Sequence, residues 1–173
     1  YWGYVTNGGT EGNLYGLYLA RETIGKTTTV FFSEHAHYSI KKNAHILGLK
    51  YTVVKSRPGG EMDYGDLARK IGKKKKAIIM ANIGSTMTGA IDNVPKIASM
   101  LRKEKIEYYI HADAALYGMV LPFVPKPPRF DFKTEINSIS VSGHKFIGSP
   151  IPCGIVLARK SVTDPLREYI EYI

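Results

Sequence analysis

One lysine and one aspartate carry the most chemistry in this sequence. Lys145 closes the tetrad Ser142-Gly143-His144-Lys145, and Asp113 is the centre of His111-Ala112-Asp113-Ala114-Ala115. A lysine amine can hold an aldehyde as an imine, and a carboxylate can keep a pyridine nitrogen protonated. Together those two tasks are what pyridoxal-phosphate chemistry requires. Each residue also has a plainer reading: Lys145 as a solvated surface lysine, and Asp113 as the N-cap of a helix beginning at Ala114-Ala115.

The settings of the two residues favour the chemical reading. Tyr108-Tyr109-Ile110 is a short β-rich run, so Asp113 falls just past the carboxyl end of a strand, where open α/β sheets gather their ligands. Ile139-Ser140-Val141-Ser142 is a second such run. It delivers His144 and Lys145 to the same edge if the two strands are parallel neighbours, with Lys145 partly buried beside His144.

A third group could hold a phosphate. Thr6-Asn7-Gly8-Gly9-Thr10-Glu11-Gly12-Asn13 precedes the amphipathic stretch Leu14 to Arg21, which predicts a helix capped by Thr10. Glycines let a backbone approach an anion, and the free N–H groups of a helix start attract one. Ser142 and His144 could add donors from the other strand. The alternative is an ordinary loop, and the pattern matches neither a Walker loop nor a G-x-G-x-x-G fingerprint.

These groups need a scaffold, and the chain supplies alternating strands and helices. Strands are predicted at Val30 to Phe32, Tyr51 to Val54, Ala77 to Ile83 and Tyr108 to Ala112, and helices at Ser39 to Leu47, around Asp66 to Lys70, and at Val94 to Lys103. Such alternation implies an α/β fold with a mainly parallel sheet covered by helices on both faces. Gly154 to Arg159 reads as one more strand, returning antiparallel soon after Lys145. Pro122 to Arg129, with its four prolines, is expected to be a loop, because the proposed site lies on both sides of it.

Composition narrows the function classes. The 173 residues, 44% of them hydrophobic, are enough for one globular core. The net charge of +9 raises nucleic acid or anionic membranes as partners. Much of the excess, however, is the run Lys73-Lys74-Lys75-Lys76 between a helix and a strand, read as a solvated connection without the aromatic interleaving of a nucleic-acid surface. No apolar run is long enough for a membrane span, and no leader is visible. A single cysteine, Cys153, excludes an internal disulfide and suits a cytoplasmic location. His35 and His37 alternate with no carboxylate cluster nearby, so no metal is expected. The chain starts without methionine and is expected to be a piece of something longer.

Five segments resemble the group II pyridoxal-phosphate-dependent amino acid decarboxylases, most closely the bacterial histidine-specific branch. They are Thr6 to Asn13, Ser33 to Ser39, Ala81 to Asp92, His111 to Ala115, and Ser142 to Gly154, and they span nearly the whole chain. The resemblance implies fold type I, the aspartate aminotransferase-like large domain. Residues 1–173 would be its central part, without the N-terminal segment and the smaller C-terminal domain. It also implies a homodimer and roles for individual residues. Lys145 would be the Schiff-base lysine, Asp113 the pyridinium partner, and His37 the histidine stacked on the ring. Gly9, Thr10, Ser142 and His144 would hold the phosphate, Thr86 and Ala115 would lie near the ring, and Asp92 would orient neighbouring groups. The implied reaction is decarboxylation of an L-amino acid, L-histidine first, to an amine and carbon dioxide. Serine decarboxylation, another reaction of the same fold type, and a non-catalytic fragment binding anionic polymers are the alternatives.

Overall fold

In the computed structural model, which describes residues 1–169, seven strands form one mixed sheet. They are β1 (Trp2–Thr6), β2 (Val30–Ser33), β3 (Tyr51–Val54), β4 (Lys76–Asn82), β5 (Glu107–Asp113), β6 (Ser138–Ser142) and β7 (Gly154–Ala158). The spatial order is β1-β7-β6-β5-β4-β2-β3. The five strands from β3 to β6 run parallel, and β7 is antiparallel to both β6 and β1. The carboxyl ends of β2, β4, β5, β6 and β1 therefore meet at one edge.

Among the described residues, five α-helices pack on the sheet: α1 (Gly9–Ile24), α2 (Ser39–Ile46), α3 (Tyr64–Ile71), α4 (Val94–Lys103) and α5 (Lys160–Thr163). Side-chain alternation along β4 sends Ile79 and Ala81 into a core with Leu67, Ile71, Ile97 and Leu101 of α3 and α4. Ile78 and Met80 face the other way, into a core with Leu17, Ile24, Ile40 and Ala44 of α1 and α2. Helices lie on both faces, as the strand-helix alternation implies. Local chemistry fixes their ends. The Asp63 side chain accepts from the N–H groups of Gly65 and Asp66 at the start of α3, and that of Asn93 accepts from Lys96 N–H at the start of α4.

Three features differ from the sequence-based expectations. Trp2–Thr6, to which no strand was assigned, pairs with β7 along its full length; Gly3 permits this, since a Cβ there would lie 2.2 Å from the Val156 carbonyl oxygen. Thr10 does not cap α1. The helix begins earlier, with Gly8 at the cap and Gly12 N–H donating to Gly8 O at 3.2 Å, so Thr10 lies inside the first turn. No helix starts at Ala114: Asp113 ends β5, and its Oδ1 accepts from Ala115 N–H at 3.2 Å within a turn.

α1 lies unusually close to β5 and β6 because three of its glycines face them. A Cβ on Gly12 would come within 2.7 Å of Ser140 Cβ, and one on Gly16 within 2.1 to 2.8 Å of three His111 ring atoms. On helix propensity alone, Gly16→Ala would stabilise by about 1 kcal/mol. Contact with the His111 ring reverses the sign, with an expected net loss of roughly 1–3 kcal/mol. Thermal melting checks this: the midpoint falls by several degrees, whereas an unchanged or raised midpoint would show that α1 can move away from the sheet.

Candidate active site

The strand ends and the start of α1 enclose a cleft of about 300 Å³. Nine of the ten residues singled out from the sequence line it. Gly9 and Thr10 come from the first turn of α1, His37 from the segment after β2, Thr86 from the loop after β4, Asp113 and Ala115 from the end of β5, and Ser142, His144 and Lys145 from the end of β6.

Asp92, expected to orient groups around a cofactor, does not itself line this cleft. It is 1% exposed, and its two carboxylate oxygens accept from Met62 N–H and Asn82 N–H, each at 2.8 Å. Asn82 does line the cleft, so Asp92 supports the wall from behind. Burial pushes the Asp92 carboxyl up to about 6, against the two N–H donors, which pull it down. A buried acid with a raised pKa holds its proton more tightly folded than unfolded. Its contribution to stability is thus fully present below the ordinary carboxylate range and is lost as pH rises through about 6. Asp92→Asn is expected to abolish this slope and to cost about 1–3 kcal/mol at neutral pH, since one amide edge would face an N–H. Denaturant titrations from pH 4 to 7 test both points. A variant with the parent's slope, or with greater stability at pH 7, would contradict them.

The phosphate-sized end of the cleft is built from backbone. The N–H groups of Gly9, Thr10 and Glu11 precede the first intrahelical bond of α1 and point outward from its positive end. A Cβ on Gly9 would lie 2.8 Å from Ala115 Cβ and 3.0 Å from Ser142 Oγ, so the floor exists because residue 9 has none. Gly8, at φ 130, lets the His144 ring pass close above it. His144 Nδ1 in turn lies 3.0 Å from the Cys153 carbonyl oxygen, which ties the lysine loop to β7.

Asp113 and His37 occupy the middle. Asp113 is 7% exposed and, among the described residues, is the only acid lining the cleft. Burial raises its pKa; Ala115 N–H, the Asn13 amide and the positive charge of Lys145 oppose that rise. His37 is half-buried. Ser39 N–H approaches its Nδ1 at 3.3 Å and Ser39 Oγ approaches at 2.8 Å, which makes Nδ1 the acceptor and leaves the proton on Nε2. Desolvation lowers the His37 pKa, so the ring is neutral at neutral pH. Lys145 is exposed, not partly buried as expected, and its chain neighbours Phe146 and Ile147 are exposed as well.

Behind Asp113 lies a set of polar residues with no assigned role in the sequence. Asn13 Nδ2 donates to Asp113 Oδ2 at 2.8 Å, and Asn13 Oδ1 lies 3.0 Å from His111 Nε2 and accepts a short bond from Ser140 Oγ. Ser138, Ser140 and Ser142 alternate along β6 onto the face that α1 covers. The signal was present in that every-second-residue serine pattern and in the spacing of Gly9, Gly12 and Gly16. It becomes readable only once α1 is known to pack on β5 and β6.

The donor set fits pyridoxal phosphate. Backbone N–H groups with Ser142 and Thr10 suit the phosphate, Lys145 an aldehyde, His37 a ring face, and Asp113 a pyridine nitrogen. Among the described residues, no group of three or more His, Cys, Asp or Glu could hold a metal, and no helix is long and apolar enough to cross a membrane.

Comparison with known proteins agrees with this geometry. The chain is 53% identical to a histidine decarboxylase from Morganella morganii over 99% of its own length and 47% of that protein's. It is 52% identical to one from Acinetobacter baumannii strain ACICU, covering 99% of the chain and 46% of that protein. The chain thus spans about half the length of these curated relatives. The glutamate decarboxylase domain of diaminobutyrate-pyruvate transaminase and L-2,4-diaminobutyrate decarboxylase from Vibrio parahaemolyticus superimposes with a TM-score of 0.79 at 28% identity. That match covers 95% of this chain and 41% of the other. The sheet and its helices are those of the fold type I decarboxylases. Residues 11–169 match the pyridoxal-dependent decarboxylase conserved domain, and with the cleft built as it is, the chain belongs to that pyridoxal-phosphate-using family.

Proposed function

We propose that this chain carries the cofactor-binding half of an amino acid decarboxylase that converts L-histidine to histamine and carbon dioxide. The observation that carries the reading is one cleft uniting Lys145, Asp113, His37 and a glycine-floored anion cradle. The two relatives above, each called a histidine decarboxylase, support histidine as the substrate.

When bound, pyridoxal phosphate supplies an aldehyde and a conjugated ring able to accept the electron pair left behind by a departing carboxylate. The protein's own residues do the rest. Lys145, exposed at the cleft, is the residue whose amine would hold the aldehyde. Asp113, buried and fixed from behind, keeps a proton on the ring nitrogen. The neutral His37 side chain would cover one face of the ring without adding a charge. Thr86 and Ala115 would lie near the ring, and the α1 N-terminus, Ser142 and His144 would hold the phosphate.

We read residues 1–173 as the central part of a large domain in a cytoplasmic homodimer. The exposed Phe146 and Ile147 next to Lys145, with the exposed Ile151 further along the chain, support a covering subunit here, and the single Cys153 supports a reducing compartment. The reaction is tested by offering histidine, serine, aromatic amino acids and glutamate to the complete polypeptide saturated with cofactor. Histamine alone is expected. Ethanolamine instead would transfer the assignment to serine, and a keto acid without amine would overturn decarboxylation itself.

A further inference from the structure

The polar residues behind Asp113 form a chain whose hydrogen-bond direction can be worked out. His111 and Asp113 lie two residues apart on β5, so both face α1, and Asn13 of α1 fits between them. Asn13 Nδ2 donates to Asp113 Oδ2 at 2.8 Å, which turns Asn13 Oδ1 towards His111 Nε2 at 3.0 Å and Ser140 Oγ. An amide oxygen only accepts, so His111 Nε2 must carry the ring proton. His111 Nδ1 is then an acceptor for Ser138 Oγ at 2.7 Å, and Ser138 Oγ accepts from Tyr109 Oη at 2.8 Å. Every donor in the series points the same way: Tyr109 to Ser138 to His111 to Asn13 to Asp113.

All the linking groups are inaccessible to water. Tyr109, His111, Ser138 and Ser140 are 0% exposed and Asn13 is 1% exposed. Desolvation lowers His111 to about 3, so it stays neutral and does not reverse the chain. Gly12 and Gly16 leave the space that the network occupies, since any side chain there would strike Ser140 or His111. A stability role alone would be met as well by apolar side chains of similar shape.

We propose that Asn13 and His111 are positioning residues for Asp113, presenting only hydrogen-bond donors to it so that it faces the cofactor ring as a carboxylate with a fixed free lone pair. The inference rests on the function proposed above and deepens it. A network ending in a donor stabilises the anion and has no acceptor to offer a protonated Asp113, so the proton between Asp113 and the ring nitrogen stays on the ring. In a buried, low-dielectric setting such aligned bonds reinforce one another.

The test reads the ring nitrogen directly. The complete polypeptide is loaded with pyridoxal 5′-phosphate carrying ¹⁵N in its ring, and the nitrogen signal is recorded without substrate. Asn13→Ala is expected to move it from the protonated position towards that of a free pyridine and to lower kcat about tenfold, with a smaller change in KM. Ser138→Ala, a milder change at the far end of the series, should move the signal the same way by less, and serves if Asn13→Ala folds poorly. Leu101→Ala, in the core on the opposite sheet face, should lower the melting temperature and leave the signal in place. A shift in the network variants alone supports the proposal. Signals that stay protonated in both network variants, or that move equally in Leu101→Ala, overturn it. A wrong substrate assignment would leave the nitrogen result intact, so the two failures are distinguishable.

Discussion

Asp113→Ala is expected to reduce amine formation by at least about 100-fold, corresponding to roughly 2.7 kcal/mol of lost transition-state stabilisation. Among the described residues no other one lining the cleft carries a carboxyl group that could replace it opposite a ring nitrogen. The change should leave the protein folded. It strands the Asn13 amide, a penalty of about 1–3 kcal/mol, but it also removes an acid whose ionisation burial disfavours. Asp113→Asn separates shape from charge: it fills the same volume yet cannot hold a proton on the ring, and it should lose nearly as much rate. Steady-state rates with histidine, alongside thermal melts, measure both effects. Near-normal turnover in either variant would sink the role assigned to Asp113.

Lys145→Ala should be still more severe for activity and nearly silent for stability. The side chain is exposed, and exposed substitutions away from packing or caps usually fall within about 0.5 kcal/mol. Activity, however, depends on an amine at this position, and among the described residues no other lysine lines the cleft. The variant is expected to melt with the parent, to bind the cofactor without a borohydride-reducible bond, and to form no measurable histamine. A reducible attachment that persists would place the anchor on a different lysine.

The combination of a buried carboxylate and an exposed lysine bears on how much could be read from the sequence. The helix at Val94–Lys103 lies where its residues predict it, because Asn93 caps it and the apolar positions Val94, Ile97, Ala98 and Leu101 recur on one face. β3 is equally legible, as a short run of tyrosine, threonine and valines. The antiparallel return of β7 follows from the few residues separating it from β6. β1 was not legible, since its partner lies some 150 residues away, at Gly154–Ala158, and short-range pattern cannot see it.

The site shows the same division. Motif residues that contact the cleft from strand ends, such as Asp113 and Ser142, follow from the strands that deliver them. Thr10 was misassigned as a cap because serine, threonine and asparagine are the usual signals, whereas here a glycine in a left-handed conformation opens the helix. Asp92 looked like a cofactor neighbour from its place in a motif. Its two N–H partners explain it instead: Asn82 at the other end of the same segment, and Met62 some 30 residues earlier. Asn13 and His111 required three elements at once: the helix, β5 and β6.

The measurement that tests the central claim most directly is borohydride reduction of the cofactor-loaded, complete polypeptide followed by peptide mapping. The account predicts a single pyridoxyl group on the peptide containing Ser142-Gly143-His144-Lys145, attached at Lys145. The label on any other lysine, or no reducible label despite bound cofactor, would contradict it.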